Sequence, residues 1–256
     1  MTSRIALLAV LTVAGLALVA PSGAFASFTF GADLSQAVAV QPCNSCDAVT
    51  ITKSDGTPET GSPISGVLVS AQIRTAGDAA TGNFLILHPT STANEFRNDG
   101  QVPITVPLDA TAGGTIRPAV PARLKIAAGD RLGISFPGTQ PGYMHSDSDA
   151  SCASRLAGHT LGTSVGYNPF ACGPYEILIQ GTVEADADGD GYGDETQDQC
   201  PSDAALQTAC PEMAPPMAPP AAAPTGQRAG ALKKCEKKKS KKVRKKCRKR
   251  AKKLPV

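Results

Sequence analysis

A chain of 256 residues that is 41% hydrophobic but only 4% aromatic, with no Trp, supports one modest core built from Val, Ile, Leu and Ala. The scarcity of rings argues against a face that recognises ligands by stacking on sugars or bases. The net charge of +3 is the sum of two opposed regions: residues 228–256 carry sixteen Lys/Arg against one acid, and residues 27–227 carry eight against twenty-one.

The N-terminus reads as an export leader. Arg4 precedes an uncharged run from Ile5 to Ala20, and Ala24-Phe25-Ala26 supplies a small-residue cleavage site, so cleavage is expected after Ala26. The run is short for a membrane span of about 20 residues, and Ser27 rather than a cysteine would begin the mature chain. A secreted, extracellular protein with no transmembrane segment in its mature form is the expectation, with association at the cell surface as its variant.

From residue 27 to 184 the pattern is of short β-like runs punctuated by Gly, Pro, Asp and Asn: 48–53, 64–74, 83–88, 102–107, 122–128, 130–136 and 175–184. Alternation places Val67, Val69, Ala71 and Ile73 on one face, and Leu124, Ile126 and Ala128 on another. No stretch of this region sustains a helical period. The fold class predicted is mainly β, an antiparallel β-sandwich with jelly-roll-like topology over residues 27–184. The Gly/Ser-rich segment 137–174 reads as an extended loop.

Eight cysteines in an exported chain point to disulfides. Their clustering favours local pairs, most simply Cys43 with Cys46, Cys152 with Cys172 and Cys200 with Cys210. A redox role for Cys43-Asn44-Ser45-Cys46 would need a helix N-terminus to lower a thiol pKa, and the residues after it are strand-like. A zinc site built from Cys43, Cys46, Cys152 and Cys172 is the other alternative. Cys235 and Cys247 are twelve residues apart, about 18 Å along a helix, too far for a bridge in a straight one. Either the tail folds back as a hairpin or these two pair between chains.

Catalysis finds no support. Gly162-Thr163-Ser164-Val165-Gly166 matches a nucleophile-elbow pattern, but Tyr167-Asn168-Pro169 cannot begin the required helix and no histidine comes after Ser164. His88, His145 and His159 form no spaced metal cluster.

The strongest chemistry lies in the acidic segment after the last strand. From Asp186 the chain reads DADGDGYGDETQDQC, with carboxylates at Asp186, Asp188, Asp190 and Asp194 and glycine at Gly191. These are positions one, three, five, nine and six of a calcium loop, in which every second side chain offers oxygen to a hard cation. Glycine at the sixth position lets the carbonyl of Tyr192 turn inward. The closing position is Gln197, with Asp198 one residue later and Glu195 as the alternative acid. The ligand set expected for calcium is Asp186, Asp188, Asp190, Tyr192, Asp194 and Asp198. Together with Cys200-Pro201, these residues resemble a thrombospondin type-3 repeat over about residues 186–211, which implies calcium binding in a secreted or surface protein. The order of leader, β-domain, single acidic unit, linker and basic tail also resembles that of secreted bacterial proteins, and implies location rather than activity.

The domain reading is therefore a leader (1–26), a β-sandwich (27–184), a calcium segment (185–212), a Pro/Ala linker (213–232) and a polybasic tail (233–256), the last disordered or partly helical. Outside a cell, the tail would meet anionic surface or wall polymers through Lys237, Lys238, Lys239, Lys241, Lys242, Arg244, Lys245, Lys246, Arg248, Lys249 and Arg250. Export argues against nucleic acid as a partner in the cell. The function expected is a secreted, non-catalytic calcium-binding protein. A carbohydrate-binding or adhesion module, with a glycan or protein ligand on the sandwich, is the alternative, and a secreted hydrolase a further one.

Overall fold

The structure is a computed structural model that describes residues 26–39, 45–211 and 226–254. The leader up to residue 25, Cys43 with its expected bridge to Cys46, and most of the 213–232 linker lie outside the described residues. The chain divides into two units, Met1–Cys210 and Pro211–Val256.

The first unit contains strands β1 (Phe28–Gly31), β2 (Cys46–Thr52), β3 (Gly66–Thr75), β4 (Ala80–Pro89), β5 (Glu95–Val106), β6 (Thr115–Ile116), β7 (Val120–Ile126) and β8 (Arg131–Phe136). Beyond them come β9 (Met144–Ser146), β10 (Ser151–Leu156), β11 (Ser164–Gly166), β12 (Tyr175–Ile177) and β13 (Ile179–Glu184). One sheet runs β1-β13-β3-β7, with β6 also paired to β3, and the other runs β10-β2-β8-β4-β5-β11. Every pairing within these two sheets is antiparallel. Apart from the β4–β5 hairpin, the principal strands alternate between the sheets: β1, β2, β3, β4, β5, β7, β8, β13. That winding is a jelly roll, the expected topology.

The core lies between the sheets, where Leu68, Ala71, Ile73 and Ile179 meet Phe84, Ile86, Ile134 and Phe136. The continuous apolar run of β4 has a physical explanation: it is buried on both faces. Phe84 and Ile86 point into the main core, while Leu85 and Leu87 join Val49, Phe96, Ala153 and Tyr167 in a second cluster. That second cluster is closed by chain from the segment read as a loop. Segment 137–174 in fact supplies β9, β10 and β11, and β10 extends the larger sheet along β2. Its buried residues, Cys152, Ala153 and Ser154, are too small and polar to signal a strand. The Cys152–Cys172 bridge forms as expected, with Cα atoms 5.4 Å apart. Residues 175–184 are likewise two strands rather than one, broken at Leu178, whose amide donates to the Tyr143 carbonyl.

The face expected for β3 switches partway along. A bulge against both neighbours at Val69 changes the phase, so Leu68, Ala71 and Ile73 line the core while Val67 and Val69 are buried outside it. In β7, Leu124 and Ile126 face the core as expected, but Ala128 lies past the strand end and is exposed.

The second unit is a helical hairpin, α1 (Gln227–Glu236) and α2 (Lys241–Ala251), so helix begins six residues before the expected tail boundary. Cys235 and Cys247 are bridged within the chain, with Cα atoms 5.5 Å apart, which decides between the two readings of that pair. Ala231 and Cys235 of α1 face Val243, Cys247 and Ala251 of α2 across one groove, at four-residue spacing on each helix. Helices of this length are marginal alone, and these repel each other. Replacing both Cys235 and Cys247 by Ser should therefore abolish most helical signal of residues 226–254, seen as loss of their helical Cα chemical shifts by NMR.

Candidate metal centre

Glu184, the last residue of β13, has a buried side chain and anchors the acidic segment that continues from this strand. Its Oε2 accepts from the backbone N–H of Glu195 at 3.0 Å and of Thr196 at 2.9 Å, and its Oε1 accepts from Thr196 Oγ1 at 2.8 Å. This carboxylate caps a turn in which the amides of Gln197 and Asp198 both donate to the Gly193 carbonyl. Gly193 lies so close to the sheet that a Cβ there would fall 2.4 Å from Glu184 Oε2 and 2.7 Å from Val69 Cγ1. The acidic segment thus packs against Val69, which the β3 bulge turns away from the core. Lys125 of β7 donates to the Gly189 carbonyl at 3.2 Å, and the Arg123 guanidinium sits 4.3 Å from the centre of the Tyr192 ring. Two cations from the edge strand therefore hold the acidic loop to the sheet.

Within the loop the backbone makes the expected turns. Gly189 and Gly191 have φ of 80° and 88°, the left-handed region that glycine enters without steric cost. Asp186 Oδ2 accepts from the Gly191 amide at 3.1 Å, Asp188 Oδ1 from Asp190 at 3.2 Å, and Asp190 Oδ1 from Tyr192 at 2.8 Å. Both oxygens of Asp194 accept from the Ala187 amide at 3.2 Å, and Asp198 Oδ1 accepts from the Cys200 amide at 2.8 Å.

The oxygens these bonds leave over are the informative ones. Asp186 Oδ1, Asp188 Oδ2 and Asp198 Oδ2 are buried and have no hydrogen-bond partner. Carboxylate oxygens of Asp186, Asp188 and Asp190 come within 4.8 Å of one another. A buried charge without a partner is costly, and the free oxygens of Asp186 and Asp188 lie in this cluster, as a hard cation's donors would. Asp194 and Asp198 lie outside the 4.8 Å group. The strain already shows in Asp194, whose carboxyl is held above its ordinary pKa by burial and by the negative charges of Asp186, Asp188 and Asp198.

The closing acid separates in the same way. Asp198 is buried with one free oxygen, whereas Glu195 is exposed and its Oε2 accepts from the Ser27 amide at 2.6 Å. Gln197, in the usual closing place, is a brace: its amide donates to the Ala122 carbonyl at 2.8 Å and its Oε1 accepts from Gly193 at 3.3 Å. Tyr192 contributes its ring contact to Arg123 and its amide to Asp190. The Cys200–Cys210 bridge closes the segment and carries Gln207, which donates to Asp190 Oδ2 at 2.9 Å. Neither Glu184 nor Gln207 is marked by spacing in the sequence, because one belongs to a strand and the other to a disulfide loop.

A further group that the sequence does not reveal is assembled by β4, β5 and the turn before β8. His88 Nδ1 and Asp130 Oδ1 are 2.6 Å apart, and Asp99 lies beside them. Here the oxygens are already used: Asp130 Oδ2 accepts from Ala127, and Asp99 takes both Arg97 Nε and Nη2. Ser164 begins β11, paired with β5, and so is not at an elbow. His159 is buried, with Tyr167 Oη and the Thr163 carbonyl at its two nitrogens, and burial lowers its pKa.

The residues expected to meet polyanions divide between the turn, with Lys237, Lys238 and Lys239, and α2, with the other eight. All are exposed except Arg244, which is half-buried. No helix among the described residues is long and apolar enough to cross a membrane. Comparison with protein-family models, with curated proteins and with solved structures finds no match to this chain.

Proposed function

We propose that this is a secreted, non-catalytic β-sandwich protein whose acidic segment binds calcium, and which is held on anionic surface polymer by its basic hairpin. The observation that carries the reading is the cluster of Asp186, Asp188 and Asp190 carboxylates, with buried, unpartnered oxygens on Asp186 and Asp188. Asp198, with its own unpartnered oxygen, would have to move in to close the shell. Asp190 and the Tyr192 carbonyl would complete a shell of six to eight oxygens with water, and Asp194 would hold the loop through Ala187. The leader, the disulfides and the separation of acidic from basic residues support export and a surface location.

Calcium here is a structural ion. It would relieve repulsion among five aspartates and stiffen the joint between β13 and the linker, with the modest affinity of extracellular modules, about 10⁻⁴–10⁻³ M. Thermal unfolding tests this. At a hundredfold excess over Kd, calcium should add about 2.7 kcal/mol, which for a domain of this size raises Tm by roughly 5–10 °C. Magnesium at the same concentration should do much less, because it demands a tighter octahedral shell. An unchanged Tm between calcium and chelator would refute the reading.

A further inference from the structure

The hairpin has two unlike sides, and the side away from its apolar seam carries an ordered row of charge. Lys241, Arg244, Lys245, Arg248, Lys249 and Lys252 line one groove of about 930 Å³ against Leu232 and Glu236 of α1. They recur at three- and four-residue steps, so the Cβ atoms of neighbours in the row stand about 5–6 Å apart, along about 16 Å of helix. Arg244 Nε in that row is buried and has no hydrogen-bond partner. The Arg248 guanidinium reaches Glu236 at 3.3 Å at the rim of the groove. Val243, Cys247 and Ala251 lie in the other groove, against α1.

We propose that this row is a binding site for a linear phosphodiester polymer of the polyol-phosphate type. The inference rests on the reading of the tail as polyanion-binding and assigns it a face and a ligand class. Regularly spaced cations suit an anion that repeats along a line, and a short polyol between phosphates spans the interval between neighbouring side chains. The Arg244 guanidinium, half-buried in this row, has the planar fork that matches phosphate geometry. A bilayer fits less well: insertion needs aliphatic side chains on the cationic side, and Leu232 is the only one there. Nucleic acid would use the same phosphates, but the hairpin has no aromatic residue on which bases could stack.

The test uses the full disulfide-bonded chain and a synthetic poly(glycerol phosphate), with affinity read by fluorescence anisotropy. Lys241→Gln with Lys245→Gln and Lys249→Gln removes three charges from the row, and Lys237→Gln with Lys238→Gln and Lys239→Gln removes three from the turn. The first triple should lose at least tenfold in affinity and the second less than threefold. Arg244→Lys, which keeps the charge and removes the fork, should lose about three- to tenfold. The native chain should show a slope of log K against log salt near −4, about that of six phosphates on a single strand. Equal losses in the two triples would overturn the row while leaving the tail as a diffuse polyanion binder. Absence of binding by the native chain would overturn both readings. Tighter binding to single-stranded DNA of equal phosphate number, to alginate or to phosphatidylglycerol vesicles would overturn the ligand class.

Discussion

Asp198→Asn is expected to lower calcium affinity at least tenfold and to abolish the calcium-dependent rise in Tm. The substitution is chosen to spare the local fold. Asn retains an Oδ1 that can accept from the Cys200 amide, as Asp198 does at 2.8 Å, and it removes the charge of the buried oxygen that has no partner. Without calcium the variant should be no less stable than the native chain, and somewhat more so, because it removes one charge from a group that repels itself. Glu195→Gln is the matched control. Its side chain is exposed and turned towards Ser27, so its calcium affinity should stay within about twofold of native. Calorimetric titration of both variants decides the closing ligand, and a larger loss in Glu195→Gln would reverse the assignment.

Glu184→Ala should cost about 3 kcal/mol in the calcium-free protein, measured by denaturant unfolding. The side chain is buried and accepts three hydrogen bonds as a charged group. Its removal leaves the amides of Glu195 and Thr196 and the Thr196 hydroxyl without the buried acceptor that holds the turn. Calcium affinity should fall as well, although Glu184 is not among the proposed ligands. The reason is positional: the turn it caps delivers Asp194 and Asp198 to the loop. Glu184→Gln should cost less, since it keeps one acceptor oxygen. If Glu184→Ala left both stability and calcium affinity unchanged, the acidic segment would not be coupled to the sheet as the hydrogen bonds indicate.

Much of the sandwich is legible in the sequence, because runs such as 83–88 and 130–136 are apolar enough to be strands in any context. The phase of β3 is not. Val67, Val69, Ala71 and Ile73 alternate without a break in sequence, yet the bulge at Val69 sends the first two outward. Both stay buried there, and Gly193 of the acidic segment packs against Val69, a tertiary fact that alternation does not record. β10 is hidden for the opposite reason, since Cys152, Ala153 and Ser154 fill space inside without looking apolar. In the tail, Lys and Arg between Val243, Cys247 and Ala251 mask a hairpin seam.

At the candidate site, the positions of Asp186, Asp188, Asp190 and Gly191 are legible because spacing alone determines the turns around a cation. The choice between Asp198 and Glu195 is not, because it depends on the amides nearby: Cys200 and Ser27 each take one acid, and only Asp198 keeps a buried oxygen free.

The most direct test is equilibrium dialysis of the chelator-stripped chain against calcium at about 10 mM, well above the Kd of about 10⁻⁴–10⁻³ M expected of such modules. About one calcium per chain in excess over the outside solution for the native protein, lost in Asp186→Asn with Asp198→Asn, is the predicted result. Calcium no higher inside the bag than outside would contradict the account.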